Sequence, residues 1–387
     1  MTGKLNLVAA GFTLTALTYG LARFAFGLLL PDVRADLAID AAGAGWIGGS
    51  AFATYCLGIA VTMVAGTRFS PRLMTVLAGI VAASGLALAA SALSAWSLGL
   101  AIALAGLSTG LTSPPLATAV ARSLDDVARS RANGAINAGT AAGIIFSGGA
   151  LVLFPGSWRS LYVLFASIGV IVSVWLFFAM PAGSGDDNTS KASLKQLNRT
   201  GVGTLCISAL LAGVASTAIW TFGANILRED WHFTDVQIAI AWIVLGVGGI
   251  VGIGTGILTS RFGTAPVHRF AIGGMALSLI GLGIASQSAL IGFAVMAVFG
   301  FAYIVSSGVF LLWGIQLYSD HPAFGLGLPF LMLAIGQTAG APLFGTFWDH
   351  IGSASTLGCF ATIMSISLIW APNTTKVHTK PRNFGKQ

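Results

Sequence analysis

The stretch LNLVAAGFTLTALTYGLARFAFGLLL, residues 5–30, runs for 26 residues with a single charge, Arg23. Its reading fixes the medium in which this chain folds. A helix rises 1.5 Å per residue and a hydrocarbon core is about 30 Å thick, so about 20 apolar residues cross it. The run is therefore long enough to span. It also exceeds the 7–15 apolar residues of a cleavable leader, and no small-x-small cleavage site follows, so it reads as a retained first span.

The rest of the chain has the same character. Of 387 residues, 56% are hydrophobic and only 8% charged, with a mean hydropathy of +0.87. Soluble domains carry roughly 25% charged residues. Such a composition cannot cover a water-facing surface, so lipid is the solvent for most of it. Twelve helical spans are expected near 6–30, 42–66, 73–95, 97–121, 133–155, 160–181, 202–227, 236–259, 267–286, 289–318, 324–347 and 351–371. Helices follow because an open strand edge cannot be satisfied in lipid. The five histidines read as lying outside these runs or at their edges. The three cysteines, Cys56, Cys206 and Cys359, lie inside them and make neither a disulfide framework nor a metal-ligand spacing.

Lysine and arginine set the orientation. With the N-terminus inside, fifteen fall on the inner side: Lys4, Arg68, Arg72, Arg122, Arg129, Arg131, Lys191, Lys195, Arg199, Arg261, Arg269, Lys376, Lys380, Arg382 and Lys386. Three, Arg34, Arg159 and Arg228, fall outside. Both termini are thus expected in the cytoplasm, and the net charge of +7 reports insertion rather than a nucleic-acid partner. Residues 182–201, AGSGDDNTSKASLKQLNRTG, form the one long polar stretch between spans. They divide the chain into a bundle at 1–181, a cytoplasmic linker at 182–201, a second bundle at 202–375 and a basic tail at 376–387.

The two halves repeat. Phe26-Gly27 recurs as Phe222-Gly223 and Trp46 as Trp242, both at an offset of 196. TRFS (67–70) recurs as SRFG (260–263) at 193, and Pro181 as Pro372 at 191. The order of the matches and their slow drift mark a duplication with small loop deletions. Six spans per copy set the copies parallel, related by an axis along the membrane normal.

On these features the chain resembles the major facilitator superfamily, and within it the YbfB/YjiJ-like branch of bacterial transporters. The branch resemblance is carried by YGLARFAFGLLLPD (19–32), SSGVFLLWGIQLYSDHPAFGLGLPF (306–330) and GQTAGAPLFG (336–345). The family's inner-loop signature, Gly-x-x-x-Asp-Arg-x-Gly-Arg, falls on MVAGTRFSPR (63–72). Arg68 and Arg72 match it, while Thr67 stands where the acid belongs; the second half keeps Arg261 with Ser260 in place of the acid. The resemblance implies two six-helix bundles rocking about a central site. It makes Arg68, Arg72 and Arg261 gating residues, and loss of the acid weakens any latch built on a salt bridge there.

Arg23 is the charged side chain that reads as well inside a span. Insertion of a central arginine costs about 2.5–3.5 kcal/mol. Three readings explain it: an anion site, a hydrogen bond between helices, and snorkelling to the headgroups. Thr15, Tyr19 and Arg23 are spaced by four, which predicts one polar stripe. No acid is expected within the spans to neutralise the guanidinium, and its fork suits a carboxylate. The resemblance places spans 1, 4, 7 and 10 around the cavity. It thereby nominates Ser108, Thr109, Thr112, Ser113, Trp220, Asn225, Tyr303, Ser307 and Trp313, whereas Asn137 and Gln337 read as interhelical hydrogen bonders. Four-spaced glycines such as Gly248, Gly252 and Gly256 mark close helix approach, and Pro114-Pro115 and Pro342 are expected to kink their spans. GLSTG (106–110) fits a nucleophile-elbow pattern, but a serine nucleophile needs a base within reach, and none is expected in the spans.

The expectation is a monomeric secondary transporter of the bacterial inner membrane, without catalytic activity, metal or cofactor, moving a small organic anion. Asp32, at the outer edge of span 1, is the candidate for proton coupling; uniport and exchange remain open. Efflux of apolar drugs is the alternative, since ten tryptophans and 24 phenylalanines permit an aromatic cavity. A non-transporting sensor or assembly factor is the alternative of another class, and would normally bring a soluble domain.

Overall fold

The computed structural model describes residues 2–65, 69–182, 199–284 and 288–372, all in helices and short connections, with no strand among the described residues. Arg68, most of the expected linker and the whole of the expected tail lie outside the described residues. Ten helical segments are long and apolar enough to cross a membrane. A further pair, Asp235–Val251 and Thr255–Phe262, meets at a 51° bend, and a shorter apolar helix covers Ser353–Ile369. The outward skin suits lipid: Trp96, Leu100 and Phe178 are each more than 70% exposed.

The first span is built in three pieces, α1 (Thr2–Thr15), a π-helical stretch (Ala16–Phe24) and α2 (Ala25–Leu37). π-helix is rare and concentrates at functional sites. Here it coincides with a backbone-to-backbone approach to α7 (Asp126–Leu153), where a Cβ on Gly20 would lie 2.5 Å from the Gly143 Cα. The helix then runs past the expected end at residue 30, through Pro31 to a left-handed Ala38 cap whose N–H bonds the Arg34 carbonyl.

Span 4 breaks as expected at its prolines, into α5 (Ala95–Gly110) and α6 (Ser113–Ser123). Span 7 breaks into α9 (Val202–Trp220) and α10 (Gly223–Glu229), which leaves the Trp220 carbonyl near a helix end. The kink expected at Pro342 brings no break: α15 (Pro322–Ile351) passes through both Pro329 and Pro342.

Two helix pairs carry most of the packing between the first and second halves of the chain. These are α3 (Ala41–Ala65) against α15, and α7 against α11 (Asp235–Val251). Without a hydrophobic drive between helices in lipid, small residues must supply the close contact. A Cβ on Gly345 would lie 2.1 Å from the Ala41 carbonyl, and one on Gly45 2.4 Å from that of Ala341.

A third junction, α2 against α10, lies at the end of the molecule distal to the start of α1. Polar links between the halves gather there. Arg34 pairs with Glu229 at 3.0 Å, and Arg228 lies 3.7 Å from Asp32 while also binding Asp235. The Asp349 carboxylate accepts from the Ala41 and Ala42 amides at 3.3 and 2.8 Å, capping the N-terminus of α3 from the other half. The distal end is closed.

Candidate substrate site

The Arg23 guanidinium lies between the two halves, 6% exposed, on the π-helical stretch. Its Nη2 donates to Gln337 Oε1 on α15 at 2.6 Å. Four rings surround it: the guanidinium carbon is 4.4 Å from the Tyr55 centroid, 4.6 Å from Phe52, 5.0 Å from Phe24 and 5.8 Å from Tyr19. Each such contact contributes about 0.5–2 kcal/mol, and a hydrogen bond to a charged group about 1.5–3 kcal/mol. Together they match the insertion cost, so the cation stays buried rather than snorkelling. No described carboxylate pairs with it, and its Nε is buried without a hydrogen-bond partner. The positive charge is cushioned but not neutralised.

Gln337 joins that cation to the second half. Its Nε2 donates to Ser216 Oγ at 3.3 Å and to the Tyr303 hydroxyl at 3.4 Å. Trp220, at the end of α9, stacks on Phe24 with centroids 4.1 Å apart and meets Tyr303 edge-on at 4.9 Å. Beside this cluster Phe24, Trp220, Tyr303, Thr140, Ile144 and Gly249 line a void of about 20 Å³. That holds about one water.

The structure brings Arg23, Tyr19, Trp220 and Tyr303 of the sequence-predicted residues into one neighbourhood. Tyr19 turns its hydroxyl to Ser113 Oγ, 2.8 Å away. The remaining hydroxyls are mostly spent on helix backbone, as is usual in membrane helices. Thr15 donates to the Gly11 carbonyl and Ser108 to that of Ala105. Thr112 binds the Ser108 carbonyl and Thr18 Oγ1, while Thr109 reaches the Thr18 carbonyl, so span 4 is sewn to span 1. Ser307 is half-buried on α14 (Ala289–Leu317).

Asn225 is buried on α10, its Nδ2 without a partner, and lines a groove at the distal end with Arg34, Arg228 and Glu229. Asp32 belongs to the same distal ion cluster. Trp313 stands ten residues, about 15 Å, along α14 from Tyr303, against the His268 ring at 5.8 Å. Arg72 donates from Nε to the Met180 carbonyl at 2.8 Å within its own half, and Arg261 lies over Phe262.

His268 stands near the start of α13 (Thr264–Gly283), at the edge of its apolar run, and is fully buried there, 3.2 Å from Ser208 Oγ, which in turn meets Ser367 Oγ at 3.0 Å. Its neighbour Arg269 is exposed. Sequence reading missed Phe52 and Tyr55, which share one helix face at a spacing of three. Gln337, read as an interhelical hydrogen bonder, does bond to other helices, at Arg23, Ser216 and Tyr303.

A family model described as Major Facilitator Superfamily matches residues 12–328. A 96-residue stretch is 30% identical to the "Inner membrane transport protein YdhP" of Escherichia coli (strain K12). That stretch is 24% of this chain and spans only about a quarter (25%) of the relative's length. Among solved structures, the nucleoside transporter NupG superposes with a TM-score of 0.77 at 14% identity, over 95% of this chain and 98% of that one. A D-xylose–proton symporter gives 0.76 at 12%, over 96% and 98%. A bacterial homologue of the human lysosomal transporter Spinster, in an inward-facing and unoccupied conformation, gives 0.73 at 14%, over 95% and 94%. At these identities the likeness is one of fold.

Proposed function

The chain belongs to the Major Facilitator Superfamily, and on that premise we propose that it is a secondary transporter of a small organic anion, a carboxylate, bound at Arg23. The ten long helices, the bent pair and the Ser353–Ile369 helix would supply the twelve spans, as two six-helix halves, 1–181 and 202–375, joined by the linker at 182–201. The lysine and arginine asymmetry puts both termini in the cytoplasm. On that orientation the closed distal end faces the periplasm, and the arrangement is the inward-facing state of an alternating-access cycle.

The observation that carries the reading is the buried guanidinium between the halves, with no described counter-ion and with its Nε buried without a hydrogen-bond partner. An anionic cargo would supply the missing charge, with Tyr19, Tyr303 and Trp220 as its neighbours. Substituting Arg23→Leu, which removes an expensive buried charge, is expected to leave insertion intact and to abolish uptake of organic acids into proteoliposomes. Uptake at the wild-type rate by a folded variant would remove the anion site. Asp32 is the proposed entry for a coupled proton. Asp32→Asn should then uncouple uptake from an imposed pH step, and an unchanged response would exclude it.

A second reading is a neutral, ring-bearing polar cargo. The rings of Trp220, Phe24 and Tyr303 beside a carboxamide favour it, and two of the similar folds are named for a nucleoside and for D-xylose. Thermal-shift titration with nucleosides, sugars and carboxylates in parallel separates the two.

A further inference from the structure

We infer that the Gln337 carboxamide is a built-in stand-in for the cargo's carboxylate, and that the cargo binds by displacing it from Arg23. The inference rests on the anion reading of that site. A guanidinium presents a side-on edge of two parallel donors, Nε–H and one Nη–H, which a carboxylate fills with its two oxygens. In Arg23 one tooth of that edge, Nη2, is held by Gln337 Oε1 at 2.6 Å, while the other, Nε, is buried without a hydrogen-bond partner. A carboxamide has one acceptor oxygen, so it can satisfy only half of the fork. The pairing is incomplete in the way a carboxylate would complete it.

Gln337 is also poorly held elsewhere. Its own donors reach Ser216 and Tyr303 at 3.3 and 3.4 Å, beyond the usual 2.7–3.2 Å range. The oxygen is gripped and the nitrogen is loose, which suits a side chain that must leave. A cargo oxygen that takes the Nη2 tooth must take it from Gln337.

The exchange has a mechanical consequence. Arg23–Gln337 joins the π-helical stretch of the first half to α15 of the second, in the middle of the molecule, where a Cys56–Thr338 contact is its one polar neighbour between the halves among the described residues, whereas the ion pairs between the halves lie at the distal end. Empty protein holds its halves together through Gln337. A planar carboxylate that takes the fork breaks that tie and frees α15 to move. Cargo class and gate release are thus read by one side chain, and Gln337 becomes a specificity-determining residue for planar, two-oxygen anions.

Two variants test this in purified full-length protein, with benzoate, lactate and succinate as probes in thermal-shift and uptake assays. Gln337→Glu places a permanent carboxylate on the fork. It should melt higher than wild type without probe and bind the probes at least tenfold more weakly. Gln337→Met empties the tooth at similar volume and should bind the same probe about tenfold more tightly, the scale of one hydrogen bond to a charged group, with slower net uptake. If wild type binds a probe through Arg23 while both variants keep its affinity, the stand-in role is overturned and the anion reading survives. If none of the probes binds wild type, the anion reading fails and this inference falls with it. Should Gln337→Met not fold, Gln337→Glu, which keeps the hydrogen bond and adds the countercharge, decides alone.

Discussion

Gly27 offers a direct perturbation of distal closure. It lies on α2 where that helix crosses the end of α9, and a Cβ there would stand 2.0 Å from the Trp220 carbonyl oxygen and 3.0 Å from its carbon. Heavy atoms in contact sit about 3.5–4.0 Å apart, so the approach is roughly 1.5 Å too close for alanine. The obstacle is backbone and cannot rotate away. Alanine is itself the better helix former, by about 1 kcal/mol, so the fold of each half should not suffer. The clash exists only while the halves are together at the distal end.

Overpacking of this kind costs about 1–3 kcal/mol. At 1.4 kcal/mol per factor of ten, Gly27→Ala should lower the ratio of distal-closed to distal-open protein roughly five- to 150-fold. The reporter is Val33→Cys, a buried distal position, in protein whose Cys56, Cys206 and Cys359 are serine. Its labelling by a membrane-impermeant maleimide should accelerate by that factor in the Gly27→Ala background, and net transport should slow because one end cannot shut. Equal labelling rates in folded protein of both backgrounds would show that the Gly27 crossing does not gate this end.

The Asp349 cap on α3 joins the halves through two amides, and loss of a helix cap costs about 1 kcal/mol. Asp349→Ala should therefore raise the same labelling rate about fivefold, with Asp349→Asn, which keeps one acceptor, intermediate. At the opposite end Arg199 binds Asp320 through both guanidinium Nη atoms and holds its carboxyl well below the usual carboxylate range. A depressed folded pKa adds stability above the unfolded value, about 3.9, and loses it as pH falls through the folded one. Asp320→Asn should accordingly lower the melting temperature at pH 7, and melts below about pH 4 should show the difference shrinking. A difference that grew on acidification would reverse the assignment.

The spans were legible because lipid thickness sets their length. The second, expected at 42–66, is Ala41–Ala65, and the fourth, expected at 97–121, is the broken Ala95–Ser123. The first was cut short at residue 30 because Asp32, Arg34 and Asp36 look like a loop. They remain helical because each finds an opposite charge on another element: Arg228, Glu229 and Arg159. That compensation lies about 120 to 200 residues away in sequence and leaves no local trace. Arg23 was legible as an anomaly, since a lone cation in apolar sequence demands an explanation. Its partner was not, because a glutamine 314 positions away carries no signal until the fold brings it near. The π-helical stretch was equally hidden, since a change of hydrogen-bond register alters no composition.

The charges between the halves bear on the resting state. Thr67 and Ser260 stand where the family's signature has acids, so the terminal end lacks the residues for that latch. Two arginines there bind partners on their own side, Arg72 the Met180 carbonyl and Arg199 the Asp320 carboxylate. The distal end has Arg34–Glu229, Arg228–Asp32 and the Asp349 cap, all crossing between halves. With cross-links gathered at one end, the empty protein should rest closed there, as the structure is. To invert a 99:1 preference, a cargo must bind the other state better by about 5.5 kcal/mol. Few groups can deliver that. Exchange of a single carboxamide oxygen for a charged, two-pronged carboxylate on Arg23 is one that can, because it removes a tie between the halves while neutralising the charge that the tie had only cushioned.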